Sequence, residues 1–148
     1  MKKIIFLAIL SILISPAIVN GKLPACTLEI GDTFAGGIVF YLAPGDECHG
    51  LVCAPTDQSK DSKWAEADAL CQFVRVGGYT NWRLPNLYEL SQMYNNLYKA
   101  KLGGFTNGYY WSSNEYQQYY TWDMNFANGQ KYSSGKGSTG YVRVIRAF

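Results

Sequence analysis

The stretch Trp82-Arg83-Leu84-Pro85-Asn86-Leu87-Tyr88-Glu89-Leu90 decides the fold. Pro85 has no N–H to donate and restricts Leu84 to extended backbone, so it stops the segment before it. Asn86 can then cap a helix with its side-chain oxygen, and Glu89, three residues on, can reach back to the cap's own N–H in a capping box. Leu87, Leu90, Tyr94 and Leu97 recur on one apolar face, and Gly103-Gly104 terminates the element. Trp82 and Leu84 read as core anchors, and Arg83 as a donor to backbone carbonyls or a carboxylate. Caps and anchors alone account for these residue types.

Upstream, Ile38 to Leu42 is a short β-branched and aromatic run that reads as a strand, and Pro44-Gly45-Asp46 turns it back into Gly50 to Ala54. Trp64, Ala67, Leu70, Cys71 and Val74 lie at helical spacing, with Asp61 or Ser62 as the cap and Gly77-Gly78 as the end. Downstream the period changes to two. Tyr120, Trp122, Met124 and Phe126 alternate with Thr121, Asp123 and Asn125, so one face of this strand reads as apolar and the other as polar and wet, and Asn128-Gly129 signals a tight hairpin into Gln130 to Ser133. A Gly/Ser loop precedes a last strand, Tyr141 to Ala147. Two helices among short antiparallel strands make an α+β domain, with first and last strands expected to be neighbours.

Residues 1 to 21 read as a secretory signal, with Lys2 and Lys3 ahead of an apolar run and Val19-Asn20-Gly21 as the cleavage site. The expectation is an exported domain over 22–148, periplasmic, cell-surface or secreted. That run is shorter than the ~20 residues that span a bilayer, so no transmembrane segment is expected in the mature chain. Lipidation at Cys26, in Leu23-Pro24-Ala25-Cys26, is the alternative, disfavoured by Pro24 and Lys22. The formal net charge of +2 belongs to Lys2 and Lys3, since residues 22–148 hold 11 basic and 11 acidic side chains. Residues 22–74 are net −5 and residues 75–148 net +5, which fits either a polarised surface or local neutralisation. A neutral mature chain gives no reason to expect nucleic acid as a partner. The four cysteines, an even number in an exported chain, read as two disulfides.

The same stretch, with Tyr109-Tyr110-Trp111-Ser112-Ser113-Asn114-Glu115-Tyr116, Val142-Arg143-Val144-Ile145-Arg146-Ala147-Phe148, Gly36-Gly37-Ile38-Val39-Phe40-Tyr41 and Ala54-Pro55-Thr56-Asp57, resembles the C-terminal domain family of the bacterial collagen-like protein Lcl. The resemblance runs from about residue 29 to the end of the chain and implies a C-type-lectin-like fold. It also implies a secreted binding domain with a role in adhesion, which takes sulfated glycosaminoglycans or other polyanions and can form homo-oligomers. Relatives carry a cysteine where Val144 stands here, as partner for the position of Cys71. This chain must pair Cys71 otherwise, and Cys53 is the expected partner, leaving Cys26 with Cys48.

Three chemistries compete for the site. Catalysis would need His49, the only histidine, or the carboxylate pair Glu115 and Asp123 across a hairpin, and no nucleophile or cofactor motif accompanies either. Calcium would use Asp123, Asn125 and Asn128, a set short of the six or more oxygens the ion prefers, so no metal or cofactor is expected. Recognition has the most support: residues 109 to 141 hold seven tyrosines among Asn, Ser and Gly, a mixture of flat contacts and adaptable hydrogen bonds. The expected ligand-binding set is Lys99, Lys101, Lys131, Lys136 and Arg143, flanked by Tyr116 and Tyr119, with Tyr110 and Tyr120 turned inward. The bland alternative is that tyrosine is a good strand residue. An envelope protein-interaction or structural module is the other functional reading.

Overall fold

The computed structural model describes residues 26–45 and 48–148. The expected signal sequence and residues 23–25 of the alternative lipidation site lie outside them. Strands β1 (Thr33–Phe34), β2 (Gly37–Leu42), β3 (Gly50–Cys53) and β4 (Ser59–Lys63) lead into helix α1 (Trp64–Cys71). A 3₁₀ turn at Val76–Gly78 precedes helix α2 (Leu87–Met93), which runs into a π-helical turn at Tyr94–Tyr98. Strands β5 (Tyr109–Gln117), β6 (Tyr120–Asn125), β7 (Gln130–Gly135), β8 (Thr139–Val142) and β9 (Ile145–Ala147) follow. They form two sheets, β1-β2-β3-β9 and β4-β8-β5-β6-β7, in which only β5 and β8 run parallel. The α+β expectation of two helices with short, mostly antiparallel strands is met.

The capping box is as read from the sequence. Asn86 Oδ1 accepts from the Glu89 N–H at 2.9 Å, and Glu89 Oε2 accepts from the Asn86 N–H at 2.7 Å. Arg83 grips the same carboxylate with both terminal nitrogens, at 2.8 and 2.6 Å. Burial alone would raise the Glu89 pKa, but the Arg83 hydrogen bonds, the Asn86 N–H and the Arg83 charge outweigh it and hold the carboxyl below its ordinary value. Trp82 and Leu84 are buried, as anchors should be.

The four-stranded sheet divides two cores, because successive side chains on a strand point to opposite faces. Val39 and Val52 join Ala67, Cys71, Trp82, Leu84, Trp111 and Val144 on one side. Phe40 and Cys53 join Leu90, Met93, Leu97, Tyr110, Met124 and Phe126 on the other. That division overturns the expected Cys53–Cys71 bridge. The two thiols sit in different cores, both are free and buried, and burial pushes each up to about 11. Val144 does share the core of Cys71. The other expected pair, Cys26–Cys48, is a disulfide.

Several sequence readings shift in register. Helix α1 is capped at Lys63, whose N–H bonds the Glu66 carboxylate, rather than at Asp61 or Ser62, which lie within β4. The segment read as one last strand is two, β8 and β9, in different sheets, and β9 pairs with β3 rather than with the first strand. The β6–β7 loop runs from Phe126 to Gly129, since Phe126 leaves the strand to fill the second core and the N–H of Gly129 bonds the Asn125 carbonyl.

Candidate functional site

The expected ligand set does not converge. Arg143, between β8 and β9, is 1% exposed: its Nε bonds Asp57 Oδ1 at 2.8 Å, its Nη1 bonds the carbonyls of Ala54 and Gly103, and its plane lies on Phe105. It is a brace between two loops and cannot meet a ligand. Lys136 is held by the Glu115 carboxylate and the Gln118 carbonyl, over the Trp64 ring. Lys99 and Lys101 do share one place, a pocket of about 350 Å³ after the π-helical turn, with Tyr98, Leu102 and Phe105. Tyr116 and Tyr119 are exposed as expected and Tyr110 is buried, but Tyr120, at the start of β6, is 45% exposed and therefore not inward.

Lys131 lies elsewhere, in a groove of about 480 Å³ built from four elements. Asn86, Leu87 and Tyr88 come from the start of α2, Asn114 and Glu115 from β5, Trp122 from β6 and Lys131 from β7. Strand pairing explains the placement. Lys131 is opposite Met124, and Ser133 opposite Trp122, so these four side chains share one face of the sheet. Met124, farther along β6, is core, whereas Trp122 is only half-buried and lines the groove. Tyr116 packs on Trp122 edge to face, with centroids 4.9 Å apart.

The wall of the groove is fixed by the segment that decides the fold. The Ser113 N–H donates to the Pro85 carbonyl and the Leu87 N–H to Asn114 Oδ1, both at 2.8 Å, so β5 is tied to the entry of α2. Between Trp111 and Glu115 the β5–β6 register shifts, and the Ser112 hydroxyl fills the irregularity by donating to the Trp122 carbonyl at 2.7 Å. Such a bulge re-aims side chains, which is how the neighbours Asn114 and Glu115 both line the groove. The capping box and the bulge also fix two amides. With Asn86 Oδ1 and Asn114 Oδ1 already accepting from backbone N–H groups, each side chain has its NH₂ left to donate.

The opposite face of β6 corrects a second expectation, that Thr121 and Asp123 face water. Both are buried. The Thr121 hydroxyl donates to the Asn114 carbonyl, and Asp123 lies between Trp111 and Tyr132 on the neighbouring strands. Burial pushes the Asp123 carboxyl up to about 6 against one hydrogen bond with Ser134, and its Oδ1 has no partner. Glu115 is solvent-facing and paired to Lys136, so the two acids do not flank a common cleft. The side-chain oxygens of Asn125 and Asn128 accept from the N–H groups of Ala127 and Gln130 and so brace the turn. Among the described residues no cluster of three His, Cys, Asp or Glu could hold a metal ion.

With this geometry in place, comparison with known families is decisive over most of the chain: the model of the Lcl C-terminal domain matches residues 45–146. The chain belongs to the Lcl C-terminal domain family. No curated protein matches the chain. The family match covers every residue of the groove and both halves of the capping box. Among the described residues no helix is long and apolar enough to cross a membrane, and the Cys26–Cys48 bridge is consistent with export. Trp122, Asn86, Tyr88 and Asn114 were not among the expected site residues. Period two placed Trp122 on the apolar face correctly, but it does not tell where along a strand that face leaves the core.

Proposed function

We propose that this Lcl C-terminal domain is an exported, non-enzymatic recognition module of C-type-lectin-like architecture that binds a saccharide in the groove floored by Trp122. One observation carries the reading. Trp122, half-buried, lines a concave site together with the amide, carboxylate and ammonium side chains of Asn86, Asn114, Glu115 and Lys131, the combination of an apolar surface and few polar groups that ligand sites use. A pyranose has an apolar C–H face for the ring and hydroxyls for the rim. The test is a glycan array probed with the protein and with Trp122→Ala, folding being checked by circular dichroism. Binding to a defined set of glycans, weakened by about tenfold or more in the variant, a difference of roughly 1.4 kcal/mol, supports the reading. Equal binding by both proteins contradicts it.

The sulfated-polyanion version of adhesion has less support from this geometry. Of the five cations expected to serve it, Arg143 is buried and Lys136 is paired, while Lys131 lies in a different pocket from Lys99 and Lys101. Charge-driven binding is strongest at low salt, so elution of the protein in the flow-through of a heparin column at low ionic strength is the expected result. A protein-interaction role draws on the exposed Tyr88, Tyr109, Tyr116, Tyr119 and Tyr120. Light scattering that shows an oligomer, with no glycan bound on the array, is the outcome that favours it.

A further inference from the structure

We infer that the groove is selective for an acidic saccharide, a pyranose carrying a single carboxylate, with Lys131 as the residue that pairs with that carboxylate. The inference rests on the saccharide reading of the groove and adds the chemical class of its ligand. Its basis is the balance of charge and of hydrogen-bonding capacity within the site.

Of the two ionisable carboxylate or ammonium groups that line the groove, Glu115 is already neutralised: its Oε2 is bound by the Lys136 ammonium. Among the described residues the Lys131 ammonium has no hydrogen-bond or ion-pair partner. It is therefore the one uncompensated charge at the site, and it stands on the same sheet face as Trp122, one strand away. The remaining polar groups are biased the same way. Asn86 and Asn114 have committed their oxygens to the N–H groups of Glu89 and Leu87, so toward a ligand they offer N–H donors. A site of one ammonium and two amide donors around an indole recognises a ligand rich in acceptors and singly negative. A neutral sugar leaves Lys131 without a partner. A densely sulfated chain meets one cation where it needs several.

Lysine is suited to this task, since its ammonium is a compact charge on a flexible stem and can follow a carboxylate on a ring held in place by stacking. The charge-assisted bond is also the stronger kind, which makes it a source of selectivity rather than of mere contact. Lys99 and Lys101 belong to the other pocket and contribute nothing to the preference.

The experiment compares a short oligosaccharide that carries a single galacturonate residue with its carboxyl-reduced, neutral counterpart, both titrated calorimetrically into the protein, Lys131→Gln, Trp122→Ala and the double variant Lys99→Gln/Lys101→Gln. The expected result is that the protein binds the acidic form about tenfold or more tightly, and that Lys131→Gln binds the two forms equally. The Lys99/Lys101 variant should keep the full preference, and Trp122→Ala should lose both ligands. Equal binding of the two forms by the unmodified protein, or a preference that survives Lys131→Gln, overturns the assignment of ligand class while leaving the groove reading intact. Binding that is unchanged in Trp122→Ala, or no binding of either form by the protein, overturns the groove reading and this inference with it.

Discussion

Replacing Asp123 by asparagine separates two ways in which a buried carboxyl can be tolerated. Asp123 is 1% exposed, Oδ1 has no partner, and burial raises its pKa from 3.8 to about 6. A raised carboxyl pKa means that the folded state holds the proton more tightly than the unfolded chain. Below pH 3.8 both states are protonated and the group is neutral to stability. Between 3.8 and about 6 the unfolded chain ionises first, so stability falls as pH rises, and above 6 the full penalty persists. At 1.36 kcal/mol per pH unit that penalty is about 3 kcal/mol, most of which develops between pH 4 and pH 8. Asparagine cannot ionise. Its NH₂ adds a fixed offset if it lacks an acceptor, but that offset does not change with pH. The stability of Asp123→Asn relative to the parent, from urea unfolding, should therefore rise by about 2 kcal/mol from pH 4 to pH 8, whatever its sign at pH 4. Other titrating groups cancel in the difference. Parallel pH profiles for the two proteins would refute the reasoning and show that Asp123 titrates as an ordinary carboxyl.

Three further outcomes follow from the same contacts. Asn86→Ala removes the acceptor for the Glu89 N–H and should lower stability by about 1–2 kcal/mol in urea unfolding, and no change would mean that the capping box is not formed in solution. Asp57→Ala leaves the Arg143 guanidinium buried without its counter-ion and should destabilise by about 3–5 kcal/mol, whereas a loss below 1 kcal/mol would show that water reaches the site. Mass spectrometry of unreduced peptides should find the Cys26–Cys48 link and two thiols, at Cys53 and Cys71, that resist alkylation until the protein is unfolded. A Cys53–Cys71 peptide would contradict the separation of the two cores.

What was legible in the sequence is what local chemistry dictates. Pro85, Asn86 and Glu89 announce the start of α2 because a cap needs those residue types at that spacing, and the period-two run announces β6. The failures share a cause, since each depended on what packs against an element from elsewhere in the chain. Arg143 reads as a surface cation until Asp57, 86 residues away, is seen to bury it. Cys53 reads as a partner for Cys71 until the sheet is seen to stand between their cores. Thr121 and Asp123 read as a wet face until Trp111 and Tyr132 are placed beside them. The groove was hidden for the same reason: its residues come from four elements, and only Lys131 and Glu115 carry a chemistry that a sequence alone brings to notice.

The central claim is that ligand meets Trp122, and the four tryptophans provide their own controls. The indole N–H groups of Trp64, Trp82 and Trp111 donate to the carbonyls of Ser112, Val76 and Ser62, whereas that of Trp122 has no partner among the described residues. A ¹⁵N–¹H correlation spectrum of the protein therefore carries four indole signals of which one reports the groove. On titration with the galacturonate oligosaccharide, or with the best ligand from the glycan array, the Trp122 indole signal should move together with the backbone amides of Leu87, Tyr88, Glu115 and Lys131, while the other three indoles stay in place. A still Trp122 signal with shifts centred on Lys99 and Lys101 would contradict the account and move the site to the other pocket.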